Sequence, residues 1–515
     1  MTNRRRSSSR RGRSKPGQAA IPQLPWSQIR NNFSPLEIVG EEQVDAIHHT
    51  SIRILSELGI RVIGDKVLDY FEAAGARVER NEGNEGMVRF DEELLDHALS
   101  TTPSTVTLTP RNPERAVEIG GNSVVNGLVA GPPNVHDAIN GRRLGNMKDY
   151  ENFTRLAHHF NVIHMIGNQV TAPMELPANT RHMDTYLANI RLSDLAFHVT
   201  AIGRGRALDG IKMMAIARGD SLEDMAKNPG VTSIISVNSP RLFDEEMGEG
   251  LIVMAEYGQP VSITPFTLMG AMTPVTLPAA LAQQNAEALF GVVLTQLVNP
   301  GAPVIYGAFT SNVDMKSGAP AFGTPENTKA NLIAGQLARR YKLPYRTSNA
   351  NASNAVDLQA AYETTMATWG AVLGGGNLIY HGAGWLEGGL TASYEKLILD
   401  IEILQNMAEI LKPIDFSEDE LGFDAIAKVA PGGHFFGEEH TMSRYKTAFY
   451  EPMLSDWTNY EAWEEAGSVT AGQRATKLWQ KALEEYEEPV LDPAIREELD
   501  EYMAHRKEEI GEGEP

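Results

Sequence analysis

The protein is a chain of 515 residues, of which 42% are hydrophobic, with 67 acidic and 45 basic residues and a formal net charge of −22. This composition is typical of a globular protein with a large core and excludes a mainly disordered chain; the excess of acidic residues argues against a nucleic-acid binder, whose affinity depends on Lys and Arg. No apolar run reaches the roughly 18 residues of a membrane-spanning helix, and the absence of cysteine excludes disulfides, thiolate metal ligands and a thiolate nucleophile.

The two ends of the chain have opposite charge. The first 15 residues contain seven basic residues and no acidic one, which predicts a disordered basic arm over residues 1–32. No apolar segment of signal-peptide length follows, so an export signal is not favoured and we expect a cytoplasmic protein. Residues 483–515 are rich in acidic side chains and predict a weakly ordered acidic tail.

Residues 33–120 precede the repeating part of the chain and predict an N-terminal helical cap. Helical periodicity covers residues 41–58 and residues 90–99. A short strand-like piece, residues 59–62, lies between these two stretches.

Residues 121–412 alternate short apolar or β-branched runs with helical segments. The runs, which have strand length and composition, are residues 123–130, 162–167, 196–202, 231–238, 260–265, 303–309, 344–348 and 377–381. The helical segments are residues 148–160, 179–193, 207–218, 243–257, 278–297, 326–341, 358–373 and 394–411. Eight strands, each followed by a helix, favour a (β/α)8 TIM barrel. A doubly wound sheet with extra strands is the alternative, because no sequence rule proves closure.

After the barrel, residues 413–482 predict a C-terminal helical extension. A segment rich in Gly and aromatic residues, 431–450, precedes helical stretches that carry Trp457, Trp463 and Trp479. We expect this extension to pack on the barrel.

In a barrel of this kind, reactive side chains come from the carboxyl ends of the strands and the loops after them. Here these positions are rich in aromatic and amide side chains and poor in charge. They include Phe266, Tyr306, Phe309, Asn349, His381, Trp385 and Glu387. Aromatic rings attract quaternary ammonium groups by about 0.5–2 kcal/mol each, so the mouth suits a ligand that brings its own charge. Each aromatic residue also has an ordinary interpretation as barrel core.

Metal and nucleophile motifs are weak in this sequence. No His-x-x-x-His or Glu-x-x-His pair lies on a predicted helix, and no Gly-x-Ser-x-Gly turn is present, so we predict no metal site and no covalent catalytic residue. His198, His381, Asp314 and Asp357 nevertheless leave open a metal-dependent barrel hydrolase or lyase. A non-catalytic binding protein, which would hold the same ligand without consuming it, is the third possibility.

Three segments resemble the trimethylamine methyltransferase family. They are residues 379–390 (IYHGAGWLEGGL) with SYEKL at 393–397 and Asp400, residues 137–142 (DAINGR) and residues 357–363 (DLQAAYE). The resemblance runs from about Phe33 to about Lys481. It implies a (β/α)8 enzyme that moves a methyl group from a methylated amine to the cobalt of a separate corrinoid protein. It also implies no tightly bound cofactor of its own and a homo-oligomer.

The founding enzymes of that family contain pyrrolysine, whereas every residue of this chain is a standard amino acid. The resemblance therefore implies a quaternary amine as substrate, with glycine betaine first and proline betaine, carnitine or trimethylamine as alternatives. A quaternary ammonium leaves as a neutral amine, so the protein has to supply alignment and a dry cation site rather than an acid or a metal.

On this interpretation, four aromatic residues form walls that face the cation. They are Phe266, Tyr306, Phe309 and Trp385. His381 and Asn349 orient the substrate as hydrogen-bond donors. A carboxylate on the substrate would find its donors among His381, Asn349, Arg346 or a backbone nest.

The remaining candidates support this site from outside. Gln359, Glu363 and Glu387 tune its electric field or brace the loop after the last strand. Residues 432–440 form part of the surface that meets the corrinoid protein.

Overall fold

The core of the protein is a closed barrel of eight parallel strands. The computed structural model describes residues 21–167, 169–511 and 513. The strands follow one another around the barrel in chain order, and the last pairs with the first, Leu378 beside Val125 and Ala383 beside Leu128. They are β1 Ser123–Leu128, β2 Met165–Ile166, β3 Ala196–His198, β4 Val231–Ile235, β5 Val261–Ile263, β6 Val304–Gly307, β7 Tyr345–Ser348 and β8 Leu378–Ala383. Closure confirms the predicted (β/α)8 barrel and excludes the doubly wound sheet.

Each strand is followed by a helix on the outside of the barrel. The helices are α1 Met147–His159, α2 Arg181–Leu192, α3 Arg204–Arg218, α4 Glu245–Glu256, α5 Leu277–Val298, α6 Pro325–Arg340, α7 Leu358–Leu373 and α8 Tyr394–Ile410, with a short additional helix, Leu222–Lys227, after α3. Asn146 and Ser393 cap α1 and α8 through their side chains, and a proline occupies the first turn of α5 and α6. All eight predicted pairs are present, with boundaries that differ by a few residues. No helix in the described part of the chain is long and apolar enough to cross a bilayer.

The N-terminal cap contains more structure than the sequence predicts. Its helical pieces are the α-helices Glu41–Arg53, Asp65–Ala73 and Glu92–Thr101 and the 3-10 turn Pro113–Arg115. The first of these helices continues as a π-helix over Ile54–Leu58. Its strands Ile60–Ile63, Arg77–Arg80 and Glu85–Arg89 form one sheet with Leu242–Phe243. The cap packs on α5, where Phe71 stacks on Phe290 with 4.6 Å between ring centroids. This cover explains why α5 is buried along most of its length.

A hairpin of the cap covers the amino-terminal end of the barrel. Its strands Thr105–Leu108 and Val117–Gly120 pair antiparallel. Their apolar side chains join one buried cluster with Val125 and Leu378 of the barrel strands. The mouth of the barrel therefore lies at the other end, where the strands finish.

Two small sheets stand over that mouth. The first consists of Phe266–Met269, Phe309–Val313 and Pro320–Ala321, which extend from the loops after β5 and β6. The second consists of Asn134–Asp137, Gly141–Leu144, Trp385–Leu386 and Thr391–Ser393, with the 3-10 turn Glu387–Gly389 between the last two. The segments DAINGR and IYHGAGWLEGGL, which are far apart in the sequence, thus meet beside the mouth.

The N-terminal segment is more ordered than its composition predicts. Ile29–Arg30 pairs with β1, and the Asn31 side chain donates to the Val372 carbonyl at 3.0 Å. The prediction of a disordered arm over residues 1–32 was therefore wrong for residues 21–32, because this stretch pairs with the start of β1 and bonds to α7. Residues 1–20 lie outside the described part of the chain.

The acidic tail is also ordered. Pro493–Ile510 is a helix that buries Leu499 and Met503 and packs on α3. Arg506 pairs with Asp209 of α3 at 2.9 Å. The prediction of a weakly ordered tail was wrong for this helix. Its net charge is acidic, but its buried apolar side chains and the ion pair of Arg506 hold it against α3.

The C-terminal extension divides into two parts. Helix Ala471–Glu485 packs on α1 and α8, and Trp479 donates to Glu395 at 2.9 Å; a short helix, Tyr460–Glu465, precedes it. Residues 413–449, which we call the arm, contain the helices Glu418–Leu421, Phe423–Lys428 and Glu439–Arg444 and have no buried residue. The expectation that the whole extension packs on the barrel was wrong for the arm.

Candidate active site

Five rings form a continuous cluster at the mouth of the barrel. Phe309 lies at its centre, with ring centroids 5.1 Å from Phe266, 5.1 Å from Phe322, 5.8 Å from His381 and 5.9 Å from Trp385. His381 and Trp385 are only 4.2 Å apart. The structure therefore brings together three of the four aromatic residues that the sequence nominates, together with His381.

Tyr306 lies on the opposite side of the barrel wall. Its hydroxyl donates to the Asn285 side chain of α5 at 2.8 Å, and its ring centroid is 6.0 Å from that of Tyr341. The side chain is fully buried between the strands and the helices, and this burial raises the pKa of Tyr306 well above its ordinary value. Tyr306 does not line the mouth, contrary to the expectation from its place near a strand end.

Arg346 of β7 places a cation beside the aromatic cluster. Its side chain is 1% exposed, and its guanidinium carbon lies 5.4 Å from the Phe309 ring centroid and 5.1 Å from that of Tyr380. Among the described residues no carboxylate pairs with it, and its Nε and Nη1 have no hydrogen-bond partner. Burial lowers the pKa of Arg346 to about 10, so the group stays charged at neutral pH. A buried, unpaired charge costs roughly several kcal/mol of stability, so this position is a candidate anion site.

His381 supplies a second donor at the same place. The Ala130 backbone N–H donates to its Nδ1 at 3.3 Å, so the proton of the neutral ring is assigned to Nε2. That Nε2 lies 3.5 Å from Nη2 of Arg346. Burial, followed by the charge of Arg346, lowers the pKa of His381 well below its ordinary value, so the ring is neutral. Two donors thus face one another, and no described residue places an acceptor between them.

Asn349, the other predicted donor, already has partners for its side chain. Its side-chain nitrogen donates to the Gly382 carbonyl at 3.0 Å, and its side-chain oxygen lies 2.8 Å from the Thr364 hydroxyl. These contacts tie the end of β7 to the end of β8 and to α7. Asn349 therefore acts on the shape of the mouth more directly than on a bound ligand.

A buried ion pair stands behind the loop that carries Trp385. Lys396 and Asp400, both fully buried on α8, contact one another directly. Asp400 also accepts from the Gly384 backbone N–H at 2.8 Å, and its other carboxylate oxygen lies 2.8 Å from the Thr364 hydroxyl, whose single proton is shared between Asp400 and Asn349. A buried ion pair of this kind fixes the positions of the groups around it when each carboxylate oxygen has a hydrogen-bond donor. It fixes the backbone one residue before Trp385.

The predicted supporting residues hold the loops around the site. Glu363 accepts from the backbone N–H groups of residues 352 and 353 at 2.9 Å each and from the Gln359 side chain at 2.7 Å. Glu387 pairs with Arg142 of the neighbouring hairpin at 2.8 Å. Glu363 thus orders the loop after β7, and Glu387 ties the loop after β8 to the hairpin that follows β1.

The residues behind the metal-dependent alternative have other partners. Asp314 accepts from the Ser317 backbone N–H in an exposed turn at 3.1 Å, and Asp357 caps α7. His198 is buried 3.2 Å from the Ser233 hydroxyl, and burial, followed by the charge of Arg346, lowers its pKa to about 3. In the chain as described, no three His, Asp or Glu side chains are arranged to hold a metal ion. The described residues therefore offer no set of metal ligands for a metal-dependent hydrolase or lyase.

Three residues of this site were missed or given little weight by the sequence interpretation. Phe322 follows a two-residue strand in an irregular loop, where no periodicity marks it. Tyr380 contacts both Arg346 and His198, and its hydroxyl has no hydrogen-bond partner in the described part of the chain. Arg346 was only one of several possible carboxylate donors, although a charged residue inside a buried strand is itself unusual. The presence of an arginine inside a predicted buried strand was the feature of the sequence that could have identified Arg346 as a site residue.

The chain is similar to known methyltransferases over almost its whole length. Residues 3–511 match the family described as Trimethylamine methyltransferase (MTTB). A glycine betaine methyltransferase of Desulfitobacterium hafniense is 37% identical over 476 residues, which cover 92% of this chain and 98% of that protein. A trimethylamine methyltransferase of the same species is 28% identical, covering 92% and 94%. A proline betaine:corrinoid methyltransferase of Eubacterium limosum is 27% identical, covering 90% and 96%.

Proposed function

Because this chain belongs to the trimethylamine methyltransferase family, we propose that it moves a methyl group from glycine betaine to the Co(I) of a separate corrinoid protein. The chain is a methyltransferase, as its relatives are. Two relatives, the glycine betaine enzyme and the proline betaine enzyme, support a betaine as methyl donor. The proline betaine enzyme, which is named as a corrinoid methyltransferase, also supports a corrinoid protein as acceptor.

The observation that carries this proposal is the unpaired Arg346 beside an aromatic cluster. A trimethylammonium group would lie against Phe266, Phe309 and Trp385, whose rings attract cations by about 0.5–2 kcal/mol each. The carboxylate two bonds away would accept from Arg346 and from Nε2–H of His381, the two donors that face one another at 3.5 Å. The site therefore suits a small zwitterion. Trimethylamine lacks the carboxylate that would neutralise Arg346.

Proline betaine and carnitine also combine a quaternary ammonium with a carboxylate. The choice of glycine betaine among the three rests on similarity. The glycine betaine methyltransferase is 37% identical to this chain, against 27% for the proline betaine enzyme and 28% for an L-carnitine:corrinoid methyltransferase of Eubacterium limosum.

The transfer requires alignment more than acid or base catalysis. The N–CH3 bond breaks with its electron pair remaining on nitrogen, so dimethylglycine leaves with a neutral amine and needs no proton. The acceptor supplies the electron pair for the new bond to the methyl carbon. Arg346 and His381 would hold the carboxylate while one methyl group faces the mouth, and the aromatic walls would release the product as its positive charge disappears.

The direct test is methyl transfer to free cobalamin reduced to Co(I), followed by the absorbance of methylcobalamin. Glycine betaine, proline betaine, carnitine and trimethylamine are compared at equal concentration, with heat-denatured protein as the control. We expect glycine betaine to react fastest and to yield one dimethylglycine per methylcobalamin. Failure of all four substrates would contradict the methyl-transfer proposal, and fastest reaction of another substrate would contradict the assignment of glycine betaine.

A further inference from the structure

The interior of the barrel beneath the mouth holds little side-chain volume. By the register of the strands and the stagger of a TIM barrel, alternate strands contribute the residues of each interior layer. The middle layer consists of Gly127, His198, Ser262 and Arg346, and the layer nearer the mouth consists of Gly167, Ile234, Gly307 and Tyr380. Bulky branched side chains usually fill such layers, whereas half of these residues are glycine or serine. A Cβ added at Gly127 would meet no atom closer than 3.6 Å outside its chain neighbours, and Ile234 is only partly buried although it lies inside the barrel. The interior therefore has room for part of a ligand.

A β-bulge in β8 turns two consecutive side chains toward the site. Successive side chains of a regular strand point to opposite faces, but the register of β8 with β1 shifts between Ile379 and Ala383. The Tyr380 ring centroid lies 5.3 Å from that of His198, across the interior on β3, while His381 faces the aromatic cluster of the mouth. His381 has a φ of 55°, which is unfavourable for a residue with a side chain. Backbone strain of this kind is concentrated at functional sites, so the bulge indicates that Tyr380 and His381 serve the site together.

The hydroxyl of Tyr380 is a buried donor beside the guanidinium of Arg346. The guanidinium carbon lies 5.1 Å from the Tyr380 ring centroid, and no described residue bonds to the hydroxyl. Burial raises the pKa of Tyr380 far above its ordinary value, so the hydroxyl keeps its proton. Nε and Nη1 of Arg346 and the Ser262 hydroxyl also have no hydrogen-bond partner among the described residues. Buried polar groups are nearly always hydrogen-bonded, so these converging donors indicate an anionic ligand group.

We propose that Tyr380 is a specificity-determining residue whose hydroxyl donates to the carboxylate of the substrate inside the barrel. The carboxylate then accepts from Arg346, from Nε2–H of His381 and from Tyr380, and it lies deeper in the barrel than the ammonium group. This orientation leaves the methyl groups against the aromatic rings, on the side from which a methyl acceptor reaches them. The inference rests on the proposed function, because it assigns the binding of the anionic end of that substrate.

Tyr345 offers a matched control for Tyr380. It precedes Arg346 on β7, and its side chain is buried like that of Tyr380. Its hydroxyl, however, donates to the Asn331 carbonyl of α6 at 2.9 Å, on the outer side of the barrel wall. Replacement by phenylalanine removes the same atom at both positions. Only at Tyr345 does this change break a hydrogen bond to a described residue.

Calorimetric titration of the full chain with glycine betaine and with tetramethylammonium, which lacks the carboxylate, tests the role of Tyr380. We expect Tyr380→Phe to bind glycine betaine about tenfold to a hundredfold more weakly than wild type, the range for a hydrogen bond to a charged group, and to bind tetramethylammonium within about twofold of wild type. Its melting temperature should stay the same or rise, because no hydrogen bond to a described residue is lost. Tyr345→Phe should bind both ligands as wild type does and should melt at a lower temperature.

A double-variant cycle with Arg346→Met shows whether Tyr380 and Arg346 bind the same group of the ligand. If both hold one carboxylate, the combined loss of affinity for glycine betaine is smaller than the product of the two single losses. Tyr380→Met, whose unbranched side chain adapts to the space around it, gives the same comparison if the phenylalanine variant does not fold.

Three results would overturn the role of Tyr380 and leave the proposed function standing. They are an unchanged affinity of Tyr380→Phe for glycine betaine, an equal loss of affinity for both ligands, and losses that multiply when Tyr380→Phe is combined with Arg346→Met. Wild-type protein that neither binds glycine betaine nor transfers its methyl group would instead overturn the proposed function, and the role of Tyr380 with it.

Discussion

Arg346→Met is the most informative single substitution in the proposed site. It replaces a buried cation by an unbranched apolar side chain of similar length, which fits a wall made of Phe309 and Tyr380. No described carboxylate loses a partner in the variant. Removing an uncompensated buried charge is neutral or stabilising, so we expect the melting temperature to stay the same or rise. Binding of the proposed substrate should change in the opposite direction.

The size of the binding effect follows from the geometry. Loss of one member of a buried, hydrogen-bonded charge pair costs about 2–5 kcal/mol, or roughly 30-fold to several thousand-fold in Kd. Tetramethylammonium shares the cationic head of glycine betaine without its carboxylate. At about 6 Å from the guanidinium, with an effective dielectric constant of about 20, it is repelled by roughly 3 kcal/mol. Its affinity should therefore rise about 100-fold in the variant.

Calorimetric titration of the protein alone measures both ligands without any corrinoid. We expect wild type to prefer glycine betaine and Arg346→Met to prefer tetramethylammonium. The control, Arg346→Lys, keeps the charge but not the planar fork, and should retain the wild-type order of preference with weaker binding. Unchanged binding of glycine betaine to Arg346→Met would refute the carboxylate site, and a large loss of stability in that variant would refute the idea that the charge is uncompensated.

Three further predictions test other parts of the structure. Tyr306→Phe should leave the KM for glycine betaine unchanged and should lower the unfolding free energy by about 1 kcal/mol, because one hydrogen bond is lost. Phe309→Leu, in contrast, should raise the KM for glycine betaine at least several-fold. Equal effects of the two variants on KM would place Tyr306 in the site. Lys396→Met should destabilise the fold by about 3–5 kcal/mol, as measured by chemical denaturation, because it leaves Asp400 buried and unpaired. The double variant with Asp400→Asn should recover part of this loss. Additive losses of stability would show that the two residues do not interact. Burial lowers the pKa of His198 to about 3 in the folded state, so its contribution to stability is complete above about pH 6.5 and is lost as pH falls towards 3, by about 1.4 kcal/mol per pH unit. In His198→Asn the slope of stability against pH below 6.5 should be smaller by that amount, and an unchanged slope would contradict a neutral His198.

The barrel could be predicted from the sequence because its signals are local. Residues 123–130 predict a strand that the structure has at Ser123–Leu128, and residues 358–373 predict the helix that is found there. Strand and helix composition, caps and spacing repeat eight times, and only a barrel or a doubly wound sheet accommodates that order. The termini were harder, since the helix Pro493–Ile510 owes its stability to contacts with α3. Net charge cannot report such contacts.

The orientation of individual side chains was not available from the sequence. In a barrel strand both faces are buried, one by the interior and one by the helices, so no alternation of polar and apolar residues distinguishes them. Tyr306 and Arg346 therefore look equally plausible as site residues, yet Tyr306 bonds to Asn285 of α5 and Arg346 lies beside Phe309.

By itself, the sequence determined the barrel, its order of strands and helices, and an aromatic, weakly charged set of strand ends that suits a cationic substrate. Only the tertiary structure decided that Phe322 joins Phe309, that Tyr306 does not, and that Arg346 has no anionic partner among the described residues. The physical reason is that composition and periodicity are properties of single segments. Pairing, or the absence of a pair, is a property of side chains that come from different strands and meet only when the barrel closes.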